Sequence, residues 1–326
     1  MKQLAITLAD VKKAQEVLKN NARRTPLVKQ NYLTSINDGG EVFIKMENMQ
    51  LTGSFKFRGA FNKINSLTQA EKDKGIIACS AGNHAQGCAL SGKMQGIEAT
   101  IVMPKIAPQA KVDATKGYGA KVILAGDTFD GAHEACDKLV KETGLTFCDP
   151  YDDPFVMAGQ GTIGLEILED YPEVDVVVAP IGGGGLISGI AVAIKSQKPD
   201  VKIIGVQADN VHGMKASFDA GKITKNYTAN TLADGCNVAT PGTLTFEVVK
   251  ELVDDIVTVS EDEIALGMKT LMQRAKAINE GSGALPTAAI LSGKLDKYIK
   301  GKKVVALISG GNVDLKVISD ICLKFA

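Results

Sequence analysis

The chain has 326 residues, of which 45% are hydrophobic and 23% charged, with 37 basic and 37 acidic side chains. A formal net charge of zero provides no global field to recruit nucleic acid or an anionic membrane, so we expect a small-molecule partner. The longest apolar runs have strand length and the N-terminus lacks the apolar core of a signal peptide, which predicts a cytoplasmic protein without membrane spans.

Short β-branched runs alternate with helical patterns, which indicates an α/β fold with parallel-rich open sheets. The predicted strands are 41–45, 75–79, 99–103, 121–124, 174–179, 202–206 and 303–308, and the predicted helices are 84–95, 109–117, 128–143, 185–196 and 261–279. Ser260 and Glu263 predict a capping box at the start of the last helix. We predict a small domain at 52–150 and a large domain at 1–51 and 151–326, with a ligand cleft between them.

A lone lysine lies among aromatic and small residues in the run Ser54-Phe55-Lys56-Phe57. If the fold buries this amine, desolvation lowers its pKa and leaves it free to attack an aldehyde. The alternative is a surface lysine at the end of a loop. This segment alone does not decide between them.

Four consecutive glycines, Gly182 to Gly185, follow an apolar strand and lead into a helix. Their unpaired N–H groups and the helix dipole favour a bound phosphate, although a tight connection without a ligand is the alternative. The spacing fits neither the dinucleotide GxGxxG pattern nor a P-loop, which argues against a dehydrogenase or a nucleotidase.

Two further polar segments each follow a predicted strand. In the first, Ser80-Ala81-Gly82-Asn83-His84, Ser80 either serves as an ordinary helix N-cap or belongs to a second anion-binding turn. The second is Ser309-Gly310-Gly311-Asn312, which supplies a hydroxyl at a flexible turn and is a weak signal alone.

Together the four segments resemble the pyridoxal-phosphate serine/threonine dehydratases of fold type II, which have the tryptophan synthase β fold. The resemblance also covers the runs 158–162 (AGQGT) and 231–235 (TLADG), and it is strongest to the short degradative threonine ammonia-lyases. It therefore implies a two-domain fold type II enzyme with pyridoxal 5'-phosphate as its cofactor. It also implies conversion of L-threonine to 2-oxobutanoate, and of L-serine to pyruvate, with release of ammonia.

The same resemblance implies a role for each matching residue. Lys56 would bond covalently to the cofactor aldehyde and then act as the catalytic base, while Ser309 would contact the pyridine nitrogen. A neutral hydroxyl there favours elimination over transamination, because it does not hold a proton on the nitrogen as an aspartate does. The remaining cofactor contacts would be Phe55, Asn83, Gly182, Gly183, Gly184, Gly185 and Leu186, and the substrate would be bound by Ser80, Ala81, Gly82, Asn83 and His84.

The relatives also define the competing functions. Serine racemases share most of these motifs, but they carry a serine base where this chain has Ala81, and a methyl group cannot move a proton. The motifs are also compatible with a 3-hydroxyaspartate dehydratase and with a pseudoenzyme that only binds the cofactor. The relatives' oligomers imply a homodimer or homotetramer.

We expect no metal ion in this protein. The cysteines and histidines show neither CxxC nor HExxH spacing. Gln207 and Gly213 stand where racemase-like relatives carry carboxylates that bind a divalent cation.

Overall fold

The structure, a computed structural model, describes residues 4–226 and 230–325. Their strands form two sheets. The strands are β1 (Leu27–Lys29), β2 (Glu41–Met46), β3 (Ile76–Cys79), β4 (Ala99–Met103), β5 (Lys121–Leu124), β6 (Thr146–Phe147), β7 (Val176–Pro180), β8 (Lys202–Ala208), β9 (Asp255–Val259) and β10 (Lys303–Ile308).

Helices connect nearly all of these strands, as parallel strand pairs require. They are α1 (Leu8–Leu18), α2 (Asn31–Ser35), α3 (Lys56–Asn65), α4 (Gln69–Lys74), α5 (Asn83–Gln95), α6 (Gln109–Gly117), α7 (Phe129–Thr143), α8 (Pro154–Asp170), α9 (Gly185–Lys195), α10 (Gly213–Ala220), α11 (Thr243–Leu252), α12 (Glu261–Thr270), α13 (Gly281–Leu291), α14 (Asp296–Ile299) and α15 (Leu315–Lys324). Short 3₁₀ turns lie at Glu47–Met49 and Asp234–Cys236.

The larger sheet has the strand order β1-β2-β10-β7-β8-β9, and the smaller sheet has the order β5-β4-β3-β6. All neighbouring strands are parallel except β1, which pairs antiparallel with β2. The small sheet comes from one continuous stretch of chain, whereas the large sheet combines strands from both sides of that stretch. The predicted α/β class with parallel-rich sheets is confirmed. The domain boundaries at 51/52 and 150/151 stay a prediction.

One predicted helix was wrong. The pattern at 261–279 predicts a single helix, but α12 ends at Thr270 and a π-helical turn at Leu271–Ala275 follows it. The chain then reverses at Lys276, whose φ of +56° is left-handed. The buried amide of Asn279 donates to the carbonyls of Met268 and Ala277, so it satisfies backbone oxygens near the end of the helix.

Helices α3 and α8 pack closely because glycines line their contact. A methyl group on Gly159 would lie 2.7 Å from the carbonyl oxygen of Arg58, and one on Gly59 would lie 2.3 Å from Nε2 of Gln160. The backbone N–H of Gly59 donates to Oε1 of Gln160 at 3.1 Å. The AGQGT run therefore fixes the position of α3, the helix that begins at Lys56.

A buried group of four charged side chains also fixes α3. Arg58 donates to both oxygens of Glu47 at 2.9 Å and to Glu166 at 2.6 and 3.0 Å. Lys45 Nζ donates to Glu166 at 2.5 Å. These two cations and two carboxylates, which we call the Arg58 cluster, link β2, α3 and α8.

Within the described ranges, no helix is long and apolar enough to cross a membrane.

Candidate active site

Lys56 is the first residue of α3 and lies partly buried, with its ammonium nitrogen 2.7 Å from the carbonyl oxygen of Pro150. Desolvation lowers the pKa of this amine, and the carboxylate of Asp149 opposes that effect without cancelling it. In the described part of the chain, no carboxylate forms an ion pair with Lys56. The surface-lysine alternative is therefore wrong, because the amine lies in a desolvated setting. Such an amine is a nucleophile toward aldehydes.

The glycine run forms a turn between β7 and α9. Gly184 has a left-handed φ of +102° and is the N-cap of α9, so the N–H groups that follow it lie at the positive end of the helix dipole. A methyl group on Gly183 would lie 2.4 Å from the ring of Tyr151, and one on Gly182 would lie 3.1 Å from Cα of Cys236. The contact at Gly183 requires glycine, and the contact at Gly182 leaves little room for a side chain. The turn is fixed further by Thr245, whose hydroxyl donates to the carbonyl of Gly183 at 2.6 Å.

Residues 149–153 connect the lysine to the glycine turn. The carbonyl of Pro150 accepts from Lys56, and the ring of the next residue, Tyr151, packs on Gly183. The carboxylate of Asp149 accepts from the N–H groups of Tyr151 and Asp152, which holds the segment in a turn. Pro150 and Tyr151 were missed in the sequence, because no residue pattern indicates that a carbonyl will accept from a distant lysine or that a ring will pack on a distant glycine.

The Ser309 turn closes against the residues before Lys56. The backbone N–H of Phe55 donates to the carbonyl of Ser309 at 3.1 Å, and Ser54 pairs with Gly310 in an isolated bridge. Ser309 is buried directly after β10. The Phe55 ring centroid lies 5.4 Å from the Lys56 nitrogen. The structure therefore brings Phe55, Lys56 and Ser309 together.

Asn83, the first residue of α5, lies between two other polar groups. Its Nδ2 donates to Oε1 of Glu280 at 2.7 Å, and its Oδ1 accepts from Nδ2 of Asn312 at 2.7 Å. Glu280 is the N-cap of α13 and was missed in the sequence, where the only signal is an acid ahead of a Gly-Ser-Gly run. Burial is the largest influence on this carboxyl and raises the pKa of Glu280 to about 7.

The other residues of the Ser80 segment lie partly exposed, except His84. Ser80 does not cap α5, whose N-cap is Gly82, because the helix begins two residues later than that prediction requires. Its hydroxyl instead accepts from the N–H of Gly82 at 3.2 Å. Burial, with the nearby Lys56 charge, lowers the pKa of His84 to about 3, and a ring nitrogen of this neutral imidazole lies 2.8 Å from the carbonyl of Cys148. The ring of His84 is therefore engaged with the Cys148 carbonyl, and the assignment of His84 to the substrate stays a prediction.

Gln207 is fully buried on β8. Its amide nitrogen donates to the carbonyl of Ile181 at 3.2 Å, and its oxygen accepts from the N–H of Lys215 at 2.8 Å. Across the residues that the structure describes, no group of three or more His, Cys, Asp or Glu side chains could hold a metal ion. The expectation of no metal stays a prediction.

These groups fit pyridoxal phosphate. Lys56 offers an amine of lowered pKa, and the glycine turn offers backbone N–H groups that no side chain of the turn covers, because glycine has none. The hydroxyl of Ser54, two residues before the lysine, is buried without a hydrogen-bond partner among the described residues. The amine suits an aldehyde, the backbone N–H groups suit a phosphate, and the free hydroxyl suits a polar ring.

Comparisons with known proteins agree with this fit. The family model for "Pyridoxal-phosphate dependent enzyme" matches residues 18–310. A catabolic L-threonine dehydratase TdcB of Staphylococcus aureus (strain USA300) is 59% identical over 317 residues, covering 97% of this chain and 92% of that protein. Among solved structures, a serine racemase from Dictyostelium discoideum has a TM-score of 0.90 at 37% identity, covering 95% and 99% of the two chains. The processed threonine deaminase isoform 2 of Solanum lycopersicum has a TM-score of 0.92 at 39% identity, covering 97% and 86%.

The fold and the site define an α/β enzyme of fold type II whose cofactor is pyridoxal phosphate. This chain belongs to the pyridoxal-phosphate dependent enzyme family. The resemblance inferred from the motifs is confirmed, and so are the cofactor and the fold.

Proposed function

We propose that the protein is a dehydratase, or ammonia-lyase, that converts L-threonine to 2-oxobutanoate and L-serine to pyruvate, releasing ammonia in both cases. The observation that carries the proposal is the desolvated Lys56 amine, which the 149–153 segment links to the glycine turn. The similarity to a catabolic threonine dehydratase over 97% of the chain supports the same substrate class.

The residues that would hold the cofactor are those that the structure brings together. Lys56 would bond to the aldehyde, the turn from Gly182 to Leu186 would bind the phosphate, and Asn83 would bind the ring hydroxyl. Ser309 would lie at the ring nitrogen, beside Phe55. When bound, pyridoxal phosphate supplies an electron-withdrawing ring that stabilises negative charge at the substrate α-carbon.

Lys56 performs the proton transfer in this proposal. Its lowered pKa leaves more of the amine neutral at a given pH than an exposed lysine would have, and only the neutral amine accepts the α-proton. The carbonyl of Pro150 accepts a hydrogen bond from this nitrogen and so restricts where it lies. The N–H groups near Ser80 and Asn83 would bind the substrate carboxylate at the start of α5.

The positions of Ala81 and Ser309 favour elimination. Ala81 offers no group that could return a proton to the opposite face of the α-carbon, as racemisation requires. The uncharged hydroxyl of Ser309 does not stabilise a protonated ring nitrogen, so the ring would delocalise the negative charge of the α-carbon less strongly. Departure of the β-hydroxyl is then favoured. Serine racemase is the second candidate, because solved serine racemases have the same fold.

A panel of β-hydroxy amino acids, including L-threonine, L-serine and 3-hydroxyaspartate, tests the proposal by production of the 2-oxo acid. We expect turnover of L-threonine and L-serine, and loss of both turnover and visible cofactor absorbance in Lys56→Ala. Formation of D-serine as fast as pyruvate would favour the racemase, and bound cofactor without any turnover would identify a pseudoenzyme. A fully active Lys56→Ala variant would contradict the assignment.

The separation of the strands into a smaller and a larger sheet leads us to retain the proposed domains, 52–150 and 1–51 with 151–326. We also propose a homodimer or homotetramer, by analogy with the relatives, and a cytoplasmic location. Light scattering of the purified protein tests the oligomer directly.

A further inference from the structure

Glu280 is a buried carboxyl that the proposed reaction does not use. It is 4% exposed and, within the described residues, no lysine or arginine forms an ion pair with it. A buried carboxyl without a cation destabilises a protein unless hydrogen bonds compensate for its lost hydration. The nearest such bond comes from Nδ2 of Asn83 at 2.7 Å.

The hydrogen-bond partners of Asn83 determine which way its amide faces. A carboxylate accepts hydrogen bonds and cannot donate them, so the NH₂ group of Asn83 must face Glu280. The oxygen of the same amide accepts from Nδ2 of Asn312, which also donates to the carbonyl of Thr52 at 2.8 Å. The amide is therefore held from both ends, and one of its two N–H groups is left for a ligand.

The backbone of the Ser309 turn packs closely against Glu280. A methyl group on Gly310 would lie 2.5 Å from Oε1 of Glu280 and 3.2 Å from Nδ2 of Asn83. The N–H of Glu280 donates to the carbonyl of Gly310 at 3.2 Å. The Ser309 turn thus packs directly on the hydrogen bond between Glu280 and Asn83, which places that bond at the site and not beside it.

We propose that Glu280 is a positioning residue for the cofactor: as a carboxylate it fixes the amide of Asn83 with one N–H free for the ring hydroxyl, and its protonation loosens that amide. A protonated carboxyl weakens as an acceptor and gains an O–H donor, so it no longer requires the NH₂ group to face it. The proposal rests on the assignment of Asn83 to the cofactor in the proposed function.

The charge state of Glu280 responds to its surroundings near neutral pH. The groups that face it from the neighbouring elements are Asn83, the backbone N–H of Asn312, Asp234, Lys111, Lys56 and Cys236. Burial and Asp234 favour the protonated form, whereas Asn83, Asn312 and Lys111 favour the carboxylate. Lys111 and Asp234 pair with each other at 3.2 Å, so their opposite effects on Glu280 arise from one ion pair.

The experiment compares the cofactor-loaded wild type with Glu280→Gln and with the matched control Glu263→Gln, which changes a capping carboxylate at the start of α12. Visible absorbance of the bound cofactor is recorded against pH without substrate. We expect a transition near pH 7 in the wild type and the control, and its loss in Glu280→Gln, because an amide does not titrate. A wild type without this transition, or a Glu280→Gln variant that keeps it, would overturn the proposal.

A second measurement separates positioning from general support of the fold. Cofactor dissociation constants are measured for Glu280→Ala, Asn83→Ala and the double variant. We expect each single change to weaken cofactor binding about tenfold, and the double variant to bind no more weakly than Asn83→Ala alone, since Glu280 acts through Asn83. Additive losses would overturn the proposal. Failure of the cofactor assignment is distinguishable, since the wild type would then show no Lys56-dependent cofactor absorbance at all. Failure of the substrate assignment alone would leave that absorbance in place and would appear only in the 2-oxo acid assay.

Discussion

Lys56 and Arg58 lie two residues apart in the same helix, and both cations are desolvated, yet their pKa values shift in opposite directions. Burial alone would lower the pKa of each. For Arg58, the carboxylates of Glu47 and Glu166 outweigh burial and raise the pKa. Lys56 has a backbone carbonyl as its hydrogen-bond partner, and its pKa is lowered.

The comparison distinguishes a buried cation that stabilises the fold from one that is suited to chemistry. A buried cation with two carboxylates keeps its charge and fixes neighbouring elements, whereas a buried amine without an ion-pair partner gives up its proton more easily. The Arg58 cluster fixes the beginning of α3, and that is where the Lys56 amine lies. Glu280 is the acidic counterpart of Lys56, since it too is buried without an ion-pair partner among the described residues.

The largest effect should follow Lys56→Met. We expect turnover to fall at least about a thousandfold, because the variant loses both the nucleophile and the base. The free energy of unfolding of the cofactor-free protein should change by less than about 1 kcal/mol, because the variant breaks no ion pair. Steady-state kinetics and urea unfolding measure the two quantities, with the exposed Lys12→Met as the matched control. If Lys56→Met lost several kcal/mol in its free energy of unfolding, Lys56 would stabilise the fold as Arg58 does, and the two cations would not differ in role.

Arg58→Met should destabilise the protein by about 3–5 kcal/mol, because it leaves the carboxylates of Glu47 and Glu166 buried without their cation. Urea unfolding of the cofactor-free protein measures this loss. A variant as stable as the wild type would mean that the Arg58 cluster does not fix α3.

Glu280→Gln should change how stability depends on pH. The folded-state pKa of Glu280 is raised to about 7, so the wild type binds this proton more tightly when folded and becomes less stable as the pH rises from the unfolded-state pKa to about 7. Between about pH 5 and about pH 8 the wild type should lose about 2–3 kcal/mol relative to the variant. Unfolding at several pH values checks this, and parallel curves for the two proteins would contradict it.

Gly183→Ala should lower cofactor affinity, because the new methyl group would lie 2.4 Å from the ring of Tyr151 and displace either the turn or the 149–153 segment. Overpacking of this kind costs about 1–3 kcal/mol, or about fivefold to 150-fold in binding. Equilibrium titration with pyridoxal phosphate measures the loss. Gly117→Ala is the control, because a methyl group there meets no atom within 4 Å. Equal affinities in the two variants would show that the turn does not bind the phosphate.

The smallest effect should follow Arg24→Met. Arg24 pairs with Glu169 at 2.6 Å and with Asp170, but half of its side chain is exposed to solvent. Exposed ion pairs contribute about 0–1 kcal/mol, so urea unfolding should detect little change. A loss as large as that for Arg58→Met would show that burial is not what distinguishes the two arginines.

The sequence by itself determined the class of fold and the identity of the cofactor. Strand periodicity and the glycine run are local features that can be recognised without knowing the distant contacts. For this reason β4, β5 and β10 were predicted with their observed bounds. The family motifs then predicted roles for Lys56, Asn83 and Ser309, and the structure places each of them at the start of a helix or directly after a strand.

Only the tertiary structure decided how those residues are held. Glu280, Pro150 and Tyr151 act through contacts between segments from about 30 to almost 200 residues apart, as in the bond from Asn83 to Glu280, and no local pattern encodes such a partner. The same holds for the contrast between Lys56 and Arg58. A pKa depends on burial and on the charges nearby, and both are set when separate parts of the chain pack together.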